Sequence, residues 1–150
     1  MGEPRAGQVR DRALVPIGAG ECLAGRAAAS LPGMPSVIKS VSFDAADALV
    51  LARFWAAAFG SGVDEESTVS KAFVEAAGWG GPNMWFTQVP EPKTAKNRVH
   101  FDLRAPGSLD DEVTRIERLG AVVARRHPGH VVMADPEGNE FCVEPGPVSG

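Results

Sequence analysis

The sequence has few cysteines, no long apolar run and no excess of basic residues. Its two cysteines, Cys22 and Cys142, lie in different kinds of segment, so no disulfide framework is expected and both are predicted to be free thiols. No apolar stretch approaches the roughly 20 residues that cross a bilayer. The 15 basic and 19 acidic residues give a net charge of −4 without long blocks of like charge, which argues against nucleic-acid binding.

The length and the terminal segments set the expected domain organisation. A chain of 150 residues suits one domain that buries about two thirds of its unfolded surface. Residues 1–35 are rich in Gly, Ala, Arg and Pro without any sustained period, so we predict a disordered tail there, with Met34 as an alternative start. The domain is expected over 36–146, followed by a short tail at 147–150. No compact apolar region follows a basic one near the N-terminus, so we expect a cytoplasmic protein.

Residues 36–92 are predicted to form a first module in which a strand leads into an amphipathic helix. Asp47 suits the N-cap of that helix, and Gly60 suits its C-terminal stop. Apolar residues recur between them at helical spacing. The elements of this module are a strand over 36–44, a helix over 47–60, an ambiguous segment over 69–78 and a strand over 84–89.

Residues 97–146 repeat the order of strand and capped helix. Ser108 and Asp111 resemble a capping box, and Gly120 closes the helix 60 residues after Gly60. That spacing predicts an internal duplication. A solvated HPGH turn is predicted between two of the later strands. The elements are a strand over 98–105, a helix over 108–120 and strands over 121–126, 131–134 and 140–144.

Two modules of this kind predict an α+β fold with a shared cavity. In each module the helix covers one face of the sheet, and the other face needs a partner or a ligand. Successive side chains of a strand point to opposite faces, so the polar residues of the first strand in each module should converge. The side chains predicted to face the cavity are Ser40, Ser42, Asp44, His100 and Asp102.

His100 and Asp102 are the candidates for acid/base chemistry. They lie two residues apart on one predicted strand face, and a neighbouring carboxylate would make the imidazole more basic. The alternative is a hydrogen-bonded cavity histidine without a chemical role.

Cys142 could serve as a nucleophile, as a soft metal ligand or as part of the cavity wall. A nucleophilic thiol needs a nearby cation or base that lowers its pKa. Glu140 and Glu144 flank the cysteine on the same side of the strand and should raise its pKa instead. The residues therefore favour a cavity-wall role for Cys142.

Aromatic residues bracket the glycine-rich stretch GWGGPN. Trp79 lies within it, and Trp85 follows on a predicted strand where it shares the parity of Thr87. An aromatic wall favours a flat apolar ligand. The alternative is a plain core position for the indole.

Several motifs together resemble a known family. They are the FW…FG helix, VHFDLRA, RLGA and, most specifically, VMADPEGNEFCVEP. Over residues 36–146 the chain resembles glyoxalase-like domains of the vicinal oxygen chelate (glyoxalase/bleomycin resistance/dioxygenase) superfamily. The resemblance implies paired β-α-β-β-β modules that form a cup-shaped, eight-stranded mixed sheet with the helices outside. Members include metal-dependent isomerases, lyases and ring-cleaving dioxygenases, as well as metal-free proteins that sequester small drugs.

The metal ligands that the resemblance implies are only partly present. Metal-using members take one ligand from the first strand and one from the last strand of each module, commonly His and Glu. His100 fits this pattern, but Cys142 stands where a glutamate is expected. In module one the matching positions fall on Ser40 and Thr87, or on Phe86 if the strand slips by one. A catalytic zinc site normally needs three protein ligands and an open position.

These observations predict a small-molecule-binding protein without a metal cofactor. The expected ligand is small and partly aromatic, and the cavity could close within one chain or across a homodimer. The alternative is a glyoxalase-type lyase or isomerase that holds Zn, Ni, Mn or Fe with His100 and Glu144. The predicted site consists of His100 and Asp102 as catalytic candidates and Ser40, Asp44, Trp85, Thr87, Cys142 and Glu144 as ligand-binding residues.

Overall fold

A computed structural model describes residues 35–76 and 80–146. The predicted tails, apart from Pro35, lie outside the described residues, as do Cys22 and Trp79. None of the helices in the described ranges is long and apolar enough to cross a membrane.

The described residues form an α+β fold with two helices and two mixed sheets, which confirms the predicted fold class. One sheet has three strands in the order β1-β3-β2, and the other has four in the order β4-β7-β6-β5. The elements are β1 (Ser40–Ala45), α1 (Ala48–Phe59), β2 (Lys71–Val74), β3 (Asn83–Gln88), β4 (Asp102–Arg104), α2 (Leu109–Arg118), β5 (Val122–His127), β6 (His130–Ala134) and β7 (Glu140–Glu144).

The number of strands differs from the eight that the resemblance implies. The described ranges contain seven strands in two separate sheets, and an isolated bridge between Val63 and Val74 stands where module one would place its remaining strand. The reason is local chemistry, because the polar segment around Asp64 makes turns. Asp64 accepts hydrogen bonds from the backbone N–H groups of Glu66 and Ser67 through its side chain and its carbonyl.

Strand pairing reveals the internal duplication directly. In each sheet the first strand runs parallel to the last, and the last is antiparallel to the strand before it. Asp44 pairs with Thr87, and Asp102 pairs with Cys142. Aligning the two aspartates makes VSFD (41–44) equivalent to VHFD (99–102).

The register and the spacing argument give different equivalences. By register the module-one counterpart of His100 is Ser42, whereas spacing from Asp47 indicated Ser40. The two differ because the connection to the helix differs in length between modules. The first N-cap lies three positions after Asp44, whereas the second lies six positions after Asp102.

Both helices begin as predicted. The Asp47 carboxylate accepts hydrogen bonds from the backbone N–H groups of the first turn of α1, and Gly60 ends the helix in the left-handed region at φ 67°. At α2 the Ser108 hydroxyl accepts from the Asp111 N–H and donates to its carboxylate, at 3.1 and 2.7 Å. This helix ends at Arg118 with Leu119 as its C-cap, one residue before the predicted glycine.

Two strand predictions change in the structure. The ambiguous segment over 69–78 contains β2, and the strand predicted over 98–105 shortens to β4. Ahead of β4, the backbone N–H of Asn97 donates to the Glu140 carboxylate at 3.0 Å, so this part of the connection binds a side chain of β7. The HPGH stretch forms the predicted turn between β5 and β6, where the rings of His127 and His130 stack 4.5 Å apart.

Trp55 of α1 lies at the centre of the core, between the two modules. Its indole ring is 1% exposed and contacts aromatic rings from both sheets. The ring centroids within 6 Å of it belong to Phe43, Phe54, Phe59, Phe101 and Phe141.

A buried carboxylate from module two completes the environment of Trp55. Asp135 is 3% exposed and accepts from the Trp55 indole N–H at 3.2 Å. It also accepts from the backbone N–H groups of Glu137 and Asn139, so the DPEGN turn closes around it. Burial raises the pKa of Asp135, and these hydrogen bonds partly oppose that shift.

Two further contacts join the modules at opposite ends of α1. Glu137 accepts from the backbone N–H groups of Ala46 and Asp47 at 2.7 and 2.8 Å, just before the helix begins. At the other end, Arg115 of α2 donates to the carbonyls of Ala57 and Ala58. Module two therefore binds helix α1 at both ends.

We expect Asp135→Ala to reduce the free energy of unfolding by roughly 2–4 kcal/mol, because it leaves the buried Trp55 N–H and two backbone N–H groups without their acceptor. Denaturant titration measures the change. Asp110→Ala is the control, since Asp110 is an exposed partner of Arg126 and its loss should change stability by about 1 kcal/mol or less. Equal effects of the two substitutions would contradict the role assigned to Asp135.

Candidate functional site

A cavity of about 460 Å³ lies between β1 and the residues that lead into β4. Its apolar wall is aromatic on one side, where Phe43 and Phe101 approach each other at 5.6 Å between centroids and Trp55 lies behind both. The two phenylalanines occupy equivalent positions in VSFD and VHFD. The cavity is therefore built where the two modules meet. The aliphatic residues that line it are Ile38, Val41 and Val99.

The polar side chains at this cavity differ in how they are paired. Glu140 is paired with two groups, Lys93 at 3.1 Å and the Asn97 N–H at 3.0 Å. The hydrogen bond from Asn97 is the largest cause of a low carboxyl pKa of about 2, and Lys93 contributes further. Glu140 is therefore anionic at neutral pH. Ser42, Asn97 and Asn139 supply neutral polar groups.

His100 lines the cavity and pairs with a lysine that the sequence did not indicate. Its Nε2 lies 2.8 Å from Lys96 Nζ. An ammonium group can only donate, so with a charged lysine Nε2 accepts and the neutral ring carries its proton on Nδ1. Lys96 and Lys93 both come from the exposed loop before β4, where no periodicity marks them as site residues.

Asp44 is exposed and contributes a second carboxylate to the cavity wall. Within residues 35–76 and 80–146 its side chain has no hydrogen bond or ion pair. Its neighbour Ser42 also lines the cavity, whereas Ser40, at the start of β1 opposite Asn83, is not among the described lining residues.

Cys142, Asp102 and Glu144 form a separate group on one face of the four-stranded sheet. Asp102 pairs with Cys142 in the register, and Glu144 lies two residues further along β7. Burial is the main cause that raises the pKa of the Cys142 thiol, and a hydrogen bond from the thiol to the Asp102 carboxylate and the charges of Asp102 and Glu144 add to it. Lys96 partly opposes this shift. The pKa of Cys142 moves in the predicted direction. The acids that raise it are Asp102 and Glu144, whereas the sequence predicted Glu140 and Glu144.

Trp85 and Thr87 lie on the three-stranded sheet. Trp85 lines a different cavity of about 400 Å³, where its ring lies 4.6 Å from Phe73 and Lys71 Nζ sits 4.9 Å over it. Thr87 is exposed between Asp44 and Lys71 in the register. The predicted residues thus fall into three groups, and Asp44 and His100 share the cavity between the modules. The catalytic and ligand-binding roles of all the predicted residues stay predictions.

The donors at the metal positions that the resemblance implies do not fit a metal site. These positions hold Ser40 by spacing or Ser42 by register, together with Thr87, His100 and Cys142, and the thiol has a raised pKa that disfavours its ligating form. Lys96 occupies the Nε2 side of His100. Across the described ranges, no group of three or more His, Cys, Asp or Glu side chains could hold a metal ion.

Comparison of the sequence with known protein families identifies one family. The sequence model for the Glyoxalase-like domain matches residues 40–144. No curated protein matches the sequence.

Several solved structures share the fold. A glyoxalase/bleomycin resistance protein/dioxygenase family enzyme from Burkholderia phytofirmans is similar with a TM-score of 0.60 at 15% identity, over 73% of this chain and 98% of its own. The lactoylglutathione lyase of Agrobacterium tumefaciens is similar with a TM-score of 0.52 at 23% identity, over 77% of this chain and 98% of its own. The third structure is a mutant of the fosfomycin resistance protein of Listeria monocytogenes, complexed with Mn(II) and 1S,2S-dihydroxypropylphosphonic acid. It is similar with a TM-score of 0.60 at 17% identity, over 77% of this chain and 94% of its own. At these identities the similarity shows the fold alone.

The low pKa of Glu140 predicts acid sensitivity of this site. A carboxyl pKa lowered from 4.5 to about 2 contributes stability that is fully present above about pH 4.5 and is lost as the pH falls toward 2. The difference in unfolding free energy between the wild type and Glu140→Gln should therefore be constant above about pH 5 and shrink over that window. Asp135 titrates in both proteins, so its effect cancels. Chemical denaturation at a series of pH values measures the difference, and a pH-independent value would contradict the pairing of Glu140.

Proposed function

Because the chain belongs to the glyoxalase-like domain family of the glyoxalase/bleomycin resistance/dioxygenase superfamily, we propose that it binds a small, partly aromatic molecule in the cavity between its modules, without a metal ion. The observation that carries this proposal is the 460 Å³ cavity with Phe43, Phe101 and Trp55 on its wall. Pockets for small ligands are typically concave, mostly apolar and supplied with a few polar groups. This cavity has all three properties.

Aromatic side chains favour a flat ligand for a physical reason. A ring that packs on Phe43 and Phe101 removes apolar surface from water on both partners and gains offset or edge-to-face contacts. The cavity is large enough for a molecule with one aromatic ring, or two fused rings, and its substituents. Neutral groups at the rim, Ser42 and Asn97, can then orient it by hydrogen bonds.

His100 is the cavity side chain that can take part in proton transfer. Lys96 occupies Nε2, so Nδ1–H is the group left to donate to a bound molecule. In this arrangement His100 acts with Lys96, whereas the sequence suggested Asp102 as its partner. A catalytic role would consist of proton donation from Nδ1 while Nε2 takes a proton from the Lys96 ammonium, which leaves a neutral imidazole and a neutral lysine.

Binding should depend on the wall of this cavity and be independent of the other one. In a screen of small aromatic compounds by ligand-observed NMR, Phe101→Leu should weaken the binding of hits roughly three- to tenfold, the worth of one aromatic contact. Trp85→Leu is the matched control, because Trp85 lines the separate cavity on the three-stranded sheet. Binding that responds to Trp85→Leu alone would place the ligand there and overturn the proposed site.

The metal-dependent alternative is separated by elemental analysis. Protein purified without an affinity tag should contain far less than one equivalent of zinc, nickel, manganese or iron, because the donor set is poor. A stoichiometric metal that is lost in His100→Ala would contradict the proposal and support a lyase or isomerase of the glyoxalase type.

A further inference from the structure

We infer that the molecule bound between the modules carries a cationic group, such as an alkylammonium substituent on an aromatic ring, which the Asp44 carboxylate contacts. This inference rests on the proposed function and specifies the class of its ligand. It follows from how the charges around the cavity are already paired.

Three ionisable side chains line the cavity, namely Asp44, His100 and Glu140. The charge of Glu140 is already balanced, because Lys93 lies at 3.1 Å and the Asn97 N–H donates to the same carboxylate. A ligand cation would have to compete with that lysine for Glu140. Glu140 is therefore a poor counter-ion for a ligand.

His100 adds no net charge in its pairing with Lys96, since its imidazole is neutral when Nε2 accepts from the ammonium. Lys96 keeps its positive charge in this pairing, and among the described residues it forms no ion pair. A ligand cation would be repelled on that side of the cavity, so His100 and Lys96 do not offer it a counter-ion.

Asp44 differs from both, because its carboxylate has no hydrogen bond or ion pair with the rest of the described chain. It also lines an adjoining groove of about 830 Å³ in which Glu91 and Glu137 contribute further negative charge and Lys93 one positive charge. Asp44 thus stands where the apolar cavity meets a groove with an excess of acidic groups.

A cationic aromatic molecule matches both parts of this surface at once. Its ring would pack on Phe43 and Phe101, and its ammonium group would lie beside Asp44. The faces of nearby aromatic rings also attract a cation. A carboxylate at the same position would meet Asp44 as a like charge, which disfavours an anionic ligand.

Three probes of nearly equal shape test the charge preference. These are 1-naphthylmethylammonium, 1-naphthalenemethanol and 1-naphthoate, titrated into the full chain by calorimetry or NMR. The cation should bind roughly three- to fivefold more tightly than the neutral alcohol, the effect of one exposed ion pair, and the anion more weakly still. Salt near 1 M should reduce the preference, since the screening length then falls to about 3 Å.

Asp44→Asn should abolish the preference for the cation while leaving the alcohol's affinity unchanged. Glu117→Gln is the control, because it removes the same unit of charge from an exposed position on α2. Retention of the preference in Asp44→Asn, or its loss in Glu117→Gln, would overturn the assignment to Asp44.

The outcomes distinguish this inference from the function on which it rests. If all three probes bind equally and Phe101→Leu weakens them all, the cavity binds aromatic molecules and the charge preference is wrong. If none of the probes binds and the aromatic screen also yields no ligand, the proposed function itself fails.

Discussion

The hydrogen bond from the Trp55 indole to the Asp135 carboxylate is the contact on which the arrangement of the two modules depends. Both groups are almost fully buried, and a buried polar group that loses its partner is costly. Asp135 also organises the DPEGN turn, and that turn presents Glu137 to the start of α1. One carboxylate thus couples the last strand of module two to the helix of module one.

The candidate site is a consequence of this coupling. The first strands of the modules, β1 and β4, belong to different sheets, and the cavity lies between β1 and the residues before β4. Trp55 packs against Phe43 and Phe101 and so fixes the aromatic side of that cavity. The proposed ligand would contact the same rings that pack in the core, which is why a conservative change such as Phe101→Leu is needed to test binding without losing the core.

Local patterns predicted much of the fold. Helix caps depend on residues three or four positions apart, so Asp47, Gly60 and Ser108 could be assigned directly. The strand over 140–144 and the HPGH turn were also confirmed. The reduction of one module-one strand to the bridge at Val63 was missed, since it depends on whether a polar segment can pair across the sheet.

The candidate site was predictable only in part. Asp44 and His100 line one cavity, but strand alternation does not explain this, because Phe43 and Phe101 of the opposite parity line the same cavity and Asp102 does not. Lys93 and Lys96 were missed because they lie in the loop before β4. Their contacts with Glu140 and His100 depend on how that loop folds, which the periodicity of the sequence does not indicate. The equivalence of Ser42 with His100 needed the strand register, because the connections between strand and helix differ in length.

The sequence by itself determined the family, the two-module order and the ends of the helices, because these follow from short-range spacing and specific motifs. Only the tertiary structure decided which side chains share a cavity and which charges are already paired. It separated Trp85 from Asp44 and assigned Glu140 to Lys93. Pairing of charges depends on distances between residues far apart in the chain, so Asp44 could be recognised as unpaired within the described chain only after folding had brought its neighbours together.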